Sequence, residues 1–479
     1  MIMSMQSTKN EFANHIDSEA IPPKFTTFAL ISFCLAIILP QGIGIRFSSY
    51  LPHIDLPRIF IVSILILGGV LFLVGRWRRC AQEAPVSCSI LIVMAIWFLI
   101  TACLSTSPKA SILFVLRVLM IGPLYAIAFC ALADKTSHNN ERYFFWILLT
   151  TGILIFIASF EFISQTYLIP SSLRTSFYDN SFYRRVIECL QRRGNGILSR
   201  GPYVSQHDFG GVLCVFSGFA WWILENRKKF GIIFAAMYII AIYAVGTRSV
   251  TIAVVLSMVT WLISRKSIKN AKRLLLVLLI AAIVITLKLS PARARTGFFL
   301  TSDITNMEQL TPEKQKIDSA KAAEITEKLS LSLLPHEPSE KFFYNTGTIG
   351  IRLTGALINI DRAKHWWLFG YGPGAFLMAD KVASVAAQYG DPGLLLAFMF
   401  ESGLFMAALF GVLIIRSLWL GLRNTESGAW APALGVLAWT VFSLSSGALW
   451  PMLPALVMTV LVEIWSNKHT HKIIPHSGK

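Results

Sequence analysis

Four arginines of this 479-residue chain are candidates for binding a phosphate-bearing ligand. Arg200 belongs to the stretch 164–206, which carries six arginines and no lysine. Arg248 is at the tip of the short turn AVGTRSV, Arg117 interrupts an apolar run, and Arg352 lies in the basic amphipathic segment GTIGIRLTGALINIDRAKHWW. The planar guanidinium group binds phosphate oxygens in pairs, so these residues are candidate ligands of a diphosphate. Lipid headgroups or solvent are the alternative partners of Arg352.

Three residues are candidate bases that would accept a proton from a substrate hydroxyl: His207, Asp391 and Glu401. His207 stands in RGPYVSQHDFGG, at the start of an apolar run. Asp391 opens a later apolar run and Glu401 lies within it. A carboxylate inside an apolar run is costly and is commonly paired, and Arg117 is one candidate partner for Glu401. The structural alternatives are a hydrogen-bonded His207 at a membrane interface and Asp391 as a helix N-cap.

The sequence shows no pattern typical of a metal or nucleotide site. It has no Asp-x-Asp, no His-Glu-x-x-His, no carboxylate pair at metal-ligand spacing and no Gly-x-Ser-x-Gly. We therefore predict neither a metal nor another cofactor. The glycines of LFGYGPGAF, residues 368–376, follow no strand and precede no helix with a phosphate-binding lysine. We interpret this segment as a tight turn in which the backbone can approach a partner closely.

Membrane-spanning helices are the elements that must position these residues. The chain is 54% hydrophobic and only 14% charged, which is unlike a soluble domain. About 20 apolar residues cross the hydrocarbon core as a helix, and the apolar runs lack the period of barrel strands. The predicted fold class is an all-α polytopic membrane protein with twelve spans, near residues 24–43, 58–75, 87–104, 111–132, 143–163, 207–224, 230–246, 249–264, 274–290, 393–416, 429–446 and 449–465.

Basic residues in the short loops predict the orientation. Every even-numbered run leads into a basic loop or tail, so both termini are expected to be cytoplasmic. The same rule accounts for the net charge of +17, so no nucleic-acid partner is expected. The predicted organisation is a cytoplasmic tail (1–23), nine spans (24–290) with an arginine-rich outer loop (164–206), a long outer loop (291–392), three spans (393–465) and a cytoplasmic tail (466–479).

The long outer loop has two parts. Residues 303–343 are charged, contain several prolines and show no pattern that suggests chemistry. The segment that follows predicts an amphipathic helix at the outer surface, which would hold Arg352 over the mouth of the helix bundle.

The order of these features resembles the superfamily of bacterial O-antigen ligases and O-antigen polymerases. The features are the outer GTR turn, the long outer loop, the Arg352 segment, WWLFGYGPGAF, and YGDPG followed by FESGLF. The resemblance covers the architecture of most of the chain, and it covers individual residues over 200–262 and 347–405.

This resemblance implies a GT-C-type fold and metal-independent, inverting transfer of a glycan from a polyprenyl (undecaprenyl) diphosphate donor. The reaction would take place at the outer face of the bacterial inner membrane, with the long loop in the periplasm. Polymerases extend another lipid-linked repeat unit, with a chain-length regulator protein as a possible partner, whereas ligases use lipid A-core as the acceptor. Arg248 and Arg352 resemble the family's diphosphate-binding arginines. Ligases typically carry histidine followed by asparagine or serine where this chain has Asp391-Pro392, which favours a polymerase and leaves a ligase as the alternative.

The residue types support this chemistry independently of the family resemblance. Negative charge grows on a lipid diphosphate as the sugar leaves it, and preorganised guanidinium groups stabilise that charge. The rival of another class is a transporter or flippase of lipid-linked glycans. Transporters place charges near the bilayer midplane in broken helices. The candidate residues here lie mainly at the outer edges of the predicted spans, and the sequence shows no paired Gly- or Pro-broken spans.

Overall fold

The computed structural model describes residues 23–41, 44–45, 54–71, 82–105, 108–132, 139–164, 166–168, 192–193, 196–197, 199–203, 205–288, 367–370, 372–374, 393–424, 428–446 and 448–470. Two short antiparallel strand pairs are present: β1 (Gly44–Ile45) with β2 (Ile54–Asp55), and β3 (Arg192–Arg193) with β4 (Gly196–Ile197). The helices are α1 (Pro23–Ile38), α2 (Leu56–Leu71), α3 (Pro85–Cys103), α4 (Pro108–Phe114), α5 (Ile121–Leu132), α6 (Asn139–Ser164), α7 (Gln206–Val215), α8 (Ser217–Asn226), α9 (Lys228–Val245), α10 (Arg248–Arg265), α11 (Ile268–Lys288), α12 (Leu394–Arg423), α13 (Trp430–Ser443) and α14 (Met452–Thr470).

Each predicted apolar run coincides with one helix or with consecutive helices. Length and composition identify five stretches that could cross a membrane, or six if the bent pair α7 and α8 is one span. Shorter apolar helices lie within α1, α2, α9, α13 and α14. This is the architecture of a helical membrane protein.

Three of the predicted spans depart from regular helix. The sixth run bends by 42° between α7 and α8. The fourth contains a π-helical turn, Val115–Leu119, between α4 and α5. The tenth, α12, is broken at Gly403, where φ is 83° and ψ is 172°. Irregular backbone at membrane depth persists only where protein groups or water satisfy it, and two of these breaks hold candidate site residues, Arg117 and Glu401.

The helix ends form two groups that we name after the predicted topology. The outer end is defined by backbone hydrogen bonds from Gln41 to Pro202, from Ser199 to Ala244 and from Leu394 to Ser446. The inner end is defined by the ion pairs of Glu225 with Arg265 and of Glu463 with Arg416. The outer group thus holds the C-terminal ends of α1, α9 and α13 and the start of α12, and the inner group holds the C-terminal ends of α8 and α10.

The hydrophobic core is built around α13, which packs against α7, α8, α10, α12 and α14. Four tryptophans in this region are fully buried: Trp221, Trp261, Trp439 and Trp465. In contrast, α10 and α11 expose large apolar side chains, as lipid-facing helices do, including Ile263 at 66% and Leu275 at 70%.

Candidate functional site

The glycine turn, residues 367–374, is docked into the break in α12. The N–H of Leu404 donates to the carbonyl of Trp367 at 2.8 Å. A Cβ on Gly403 would overlap the carbonyl of Leu368, and a Cβ on Gly370 would overlap the backbone of Glu401. Both glycines have positive φ, so the close approach requires glycine for space and for conformation. The prediction of a tight turn that approaches a partner closely is confirmed, and the partner is the chain's own helix.

Glu401 holds this turn in place. Its side chain is 7% exposed, its backbone carbonyl accepts the N–H of Gly372 at 2.9 Å, and its carboxylate Oε2 accepts the N–H of Gly374 at 3.1 Å. A charge buried in a helix is stabilised by such hydrogen bonds. The contacts through which Glu401 fixes the turn do not involve Arg117, the partner considered from the sequence.

The glycine turn also contacts α3 and α4. The indole N–H of Trp97 donates to the carbonyl of Ser402 at 2.8 Å, and the ring of Trp97 stacks on Phe369 with centroids 5.3 Å apart. A Cβ on Gly374 would lie 2.5 Å from the ring of Phe114. Since Trp367 ends the predicted Arg352 helix, this docking fixes the C-terminal end of that segment to the bundle.

Arg117 lies on the π-helical turn Val115–Leu119, three residues after Phe114, and its side chain is exposed. The π-helical turn places an extra residue in one turn, a local feature that often occurs at functional sites. Glu401 contacts the glycine turn directly, and Arg117 lies three residues after Phe114, which contacts the same turn.

A buried carboxylate anchors Arg200 at the outer end. Glu161, near the end of α6, is 0% exposed. Its Oε2 accepts the hydroxyl of Ser199 at 2.7 Å and the N–H groups of Arg200 and Gly201 at 3.1 and 3.0 Å. The guanidinium of Arg200 lies 4.1 Å from the ring centroid of Tyr167, and Arg200 is 3% exposed. Arg200 is thus a buried, positioned cation at the base of the arginine-rich loop.

His207 is the second residue of α7, at the same end of the bundle. The side chain of Ser205 caps this helix by accepting the N–H of His207 at 3.0 Å, and His207 is partly exposed. Two residues upstream of the cap, the phenol of Tyr203 donates to the carbonyl of Ile37 at 2.8 Å. Burial raises the pKa of Tyr203 well above its ordinary value, so this phenol is a structural donor and not a base.

Arg248 is the first residue of α10 and is exposed. Gly246 precedes it in the left-handed conformation (φ 66°), which turns the chain sharply from α9 into α10. The N-cap residue, Thr247, makes no side-chain capping hydrogen bond. The guanidinium and the positive end of the helix dipole are therefore at the same place, an arrangement that favours an anion.

The structure brings Arg200, His207 and Arg248 to one end of α9. Ser199, which precedes Arg200, donates its N–H to the carbonyl of Ala244. Gly210, one turn after His207, packs against the side chains of Val245 and Thr247, next to Arg248. We call this group of residues the outer arginine cluster. Glu401 and Arg117 belong instead to the surroundings of the glycine turn, and the two remaining candidates, Asp391 and Arg352, lie outside the described residues.

Glu161 was missed in the sequence. The signal was present, since Glu161 interrupts the fifth apolar run in the same way that Glu401 interrupts the tenth. Within the described part of the chain, no group of three or more His, Cys, Asp or Glu residues could hold a metal ion. The chain matches no family model, and it matches no curated protein sequence.

Proposed function

We propose that this chain is a metal-independent, inverting glycosyltransferase at the outer face of the bacterial inner membrane. It polymerises oligosaccharide repeat units linked to polyprenyl diphosphate. The observation that carries the proposal is the outer arginine cluster, in which exposed Arg248 at the N-terminus of α10 lies at the same end of α9 as buried Arg200 and partly exposed His207. A guanidinium group at the positive end of a helix dipole favours the binding of an anion, and the diphosphate of a lipid-linked donor at the membrane surface is such an anion.

The reaction assigned to this cluster is a single displacement. An acceptor hydroxyl attacks C1 of the donor sugar, the bond from C1 to the diphosphate oxygen breaks, and the electron pair leaves with the lipid diphosphate. Arg248 and the N-terminal N–H groups of α10 stabilise the leaving group, together with Arg352 from the long loop. His207 or Asp391 takes the hydroxyl proton. Glu401 is the weakest of the three candidate bases because its carboxylate already accepts a hydrogen bond from Gly374.

The proposed membrane arrangement has twelve spans, with both termini cytoplasmic and a GT-C-type fold. The observation that supports it is that all twelve predicted runs coincide with helices. Within this arrangement the outer arginine cluster faces the periplasm, where nucleotide sugars are absent and a lipid-linked donor is the available substrate.

The alternative within the same chemistry is a ligase that transfers the glycan to lipid A-core. Asp391 at the position where a ligase would carry histidine favours the polymerase. A flippase of lipid-linked glycans is a second candidate, because α12 is broken beside a buried carboxylate and α7 and α8 form a bent pair. Broken helices of this kind line the substrate sites of transporters.

One reconstituted assay separates these functions. The purified protein is placed in vesicles with a lipid-diphosphate-linked repeat unit, and the products are sized. A polymerase makes longer lipid-linked glycans without a further acceptor, a ligase makes product only when lipid A-core is added, and a flippase forms no new glycosidic bond. A product distribution that does not change under either condition refutes glycosyl transfer.

Arg248→Ala tests the site within that assay. Removing one preorganised donor at the developing charge lowers the rate by roughly 100- to 1,000-fold, and Arg248→Lys restores little because one ammonium does not replace a paired guanidinium contact. The matched control is Arg227→Ala, which removes an exposed arginine from the inner end and leaves the rate unchanged. Wild-type rates for Arg248→Ala would remove Arg248 from the proposed mechanism.

A further inference from the structure

The hydroxyl of Thr247 is buried and has no hydrogen-bond partner among the described residues. Thr247 is 6% exposed, and its side chain does not cap α10 although it occupies the N-cap position. A threonine there ordinarily accepts an N–H from the first turn of the helix. Buried polar groups are nearly always paired, so an unpaired one indicates a missing partner.

A second unpaired polar atom lies on the neighbouring helix. The side-chain Oε1 of Gln206 is buried without a partner among the described residues. Gln206 is one helical turn before Gly210, and a Cβ on Gly210 would lie 3.3 Å from the Thr247 hydroxyl. Residues four apart share a helix face, so Gln206 and Thr247 stand on facing elements at the outer end. A Cβ on Gly210 would also lie 2.5 Å from the side chain of Val250, so glycine at this position lets the two elements pack closely.

We propose that Gln206 and Thr247 form a subsite for a hydroxyl group of the sugar that is attached to the donor diphosphate. The Gln206 oxygen accepts from the sugar hydroxyl, and the Thr247 hydroxyl donates to it. This inference rests on the proposed function, because it takes Arg248, the residue directly after Thr247, as a ligand of the diphosphate. The sugar is joined to that diphosphate through C1, so its nearest ring hydroxyl lies beside the phosphate oxygens.

The test measures binding of two probes to the purified full-length protein in detergent. One probe is a polyprenyl diphosphate that bears a single sugar, and the other is the same lipid diphosphate without the sugar. Thr247→Val keeps the shape of the side chain and removes the hydroxyl. Loss of one neutral hydrogen bond weakens binding about five- to tenfold, so Thr247→Val weakens the sugar-bearing probe by this factor and leaves the bare lipid diphosphate unchanged.

Gln206→Met serves as the second variant, with the same expected result, and decides the question if Thr247→Val does not fold. The matched control is Ser159→Ala, which removes another buried hydroxyl without a partner among the described residues, near the C-terminal end of α6. Its binding of both probes equals that of the wild type.

Three results would overturn the inference. If both variants bind the sugar-bearing probe as the wild type does, Gln206 and Thr247 do not contact the sugar. Equal weakening of both probes means that the pair acts on the diphosphate or on the fold. If the wild type binds neither probe, the proposed function itself fails and the subsite fails with it, an outcome distinct from the first two.

Discussion

The break at Gly403 gives the sharpest prediction, which is the effect of Gly403→Ala. The new methyl group would overlap the carbonyl of Leu368. The backbone φ and ψ of residue 403 would also stay in a conformation that costs a non-glycine residue about 1–3 kcal/mol. The steric overlap and the backbone strain are both relieved if the glycine turn moves out of the break and α12 becomes a regular helix. The protein then loses the hydrogen bonds that hold the turn, namely Leu404 to Trp367, Gly372 to the Glu401 carbonyl and Gly374 to the Glu401 carboxylate.

Each of these three hydrogen bonds contributes about 1 kcal/mol net. We therefore expect Gly403→Ala to lower the free energy of unfolding by about 3 kcal/mol. The matched control lies two turns further along the same helix: a Cβ on Gly411 meets nothing within 4 Å. Gly411→Ala should be neutral or should stabilise by up to about 1 kcal/mol, because alanine loses less conformational freedom in a helix.

Hydrogen–deuterium exchange and thermal unfolding in detergent check both expectations. In the wild type, the amides of Gly372, Gly374 and Leu404 are protected by the bonds to α12 and to Trp367. Gly403→Ala makes these amides exchange rapidly, and Gly411→Ala does not. If the two variants unfold at the same temperature and show the same protection at residues 372–374, the break in α12 does not hold the glycine turn and the reasoning is refuted.

Three further predictions concern charged groups that the fold pairs with distant partners. Glu161→Ala should lower the free energy of unfolding by about 3–5 kcal/mol, since it leaves several buried donors unpaired. Glu161→Gln keeps an acceptor and should lower it by only about 1–2 kcal/mol, so equal losses of unfolding free energy for the two variants in denaturant would contradict this. Glu463→Ala leaves Arg416 and two N–H groups of α3 without their acceptor and should cost about 3 kcal/mol, with increased exchange at residues 86–87 as the specific sign. Arg265→Lys replaces the paired contacts with Glu225 and should cost about 1 kcal/mol, an effect that should shrink in high salt and is excluded if salt changes nothing.

The sequence alone determined which segments are helices. The predicted apolar runs 58–75, 87–104, 143–163 and 393–416 coincide with α2, α3, α6 and α12, which are 16 to 30 residues long, because hydropathy is a local property and a helix satisfies its own backbone. The glycines at 370, 372 and 374 likewise predicted a turn with a close backbone approach. Each of them adopts a positive φ, which other residues avoid. The arginines of the predicted outer loops, such as Arg200 and Arg248, indicated an anionic partner.

Only the tertiary structure decided what these elements do together. The sequence offered Glu401 as a base or an ion-pair partner, and the fold uses its carboxylate to hold a turn that lies 27 residues earlier. Glu161 reaches Ser199 across 38 residues, and Glu463 reaches Val86 across 377. Such partners are chosen by packing between helices, which no local pattern encodes, so the grouping of Arg200, His207 and Arg248 around α9 could be found only in three dimensions.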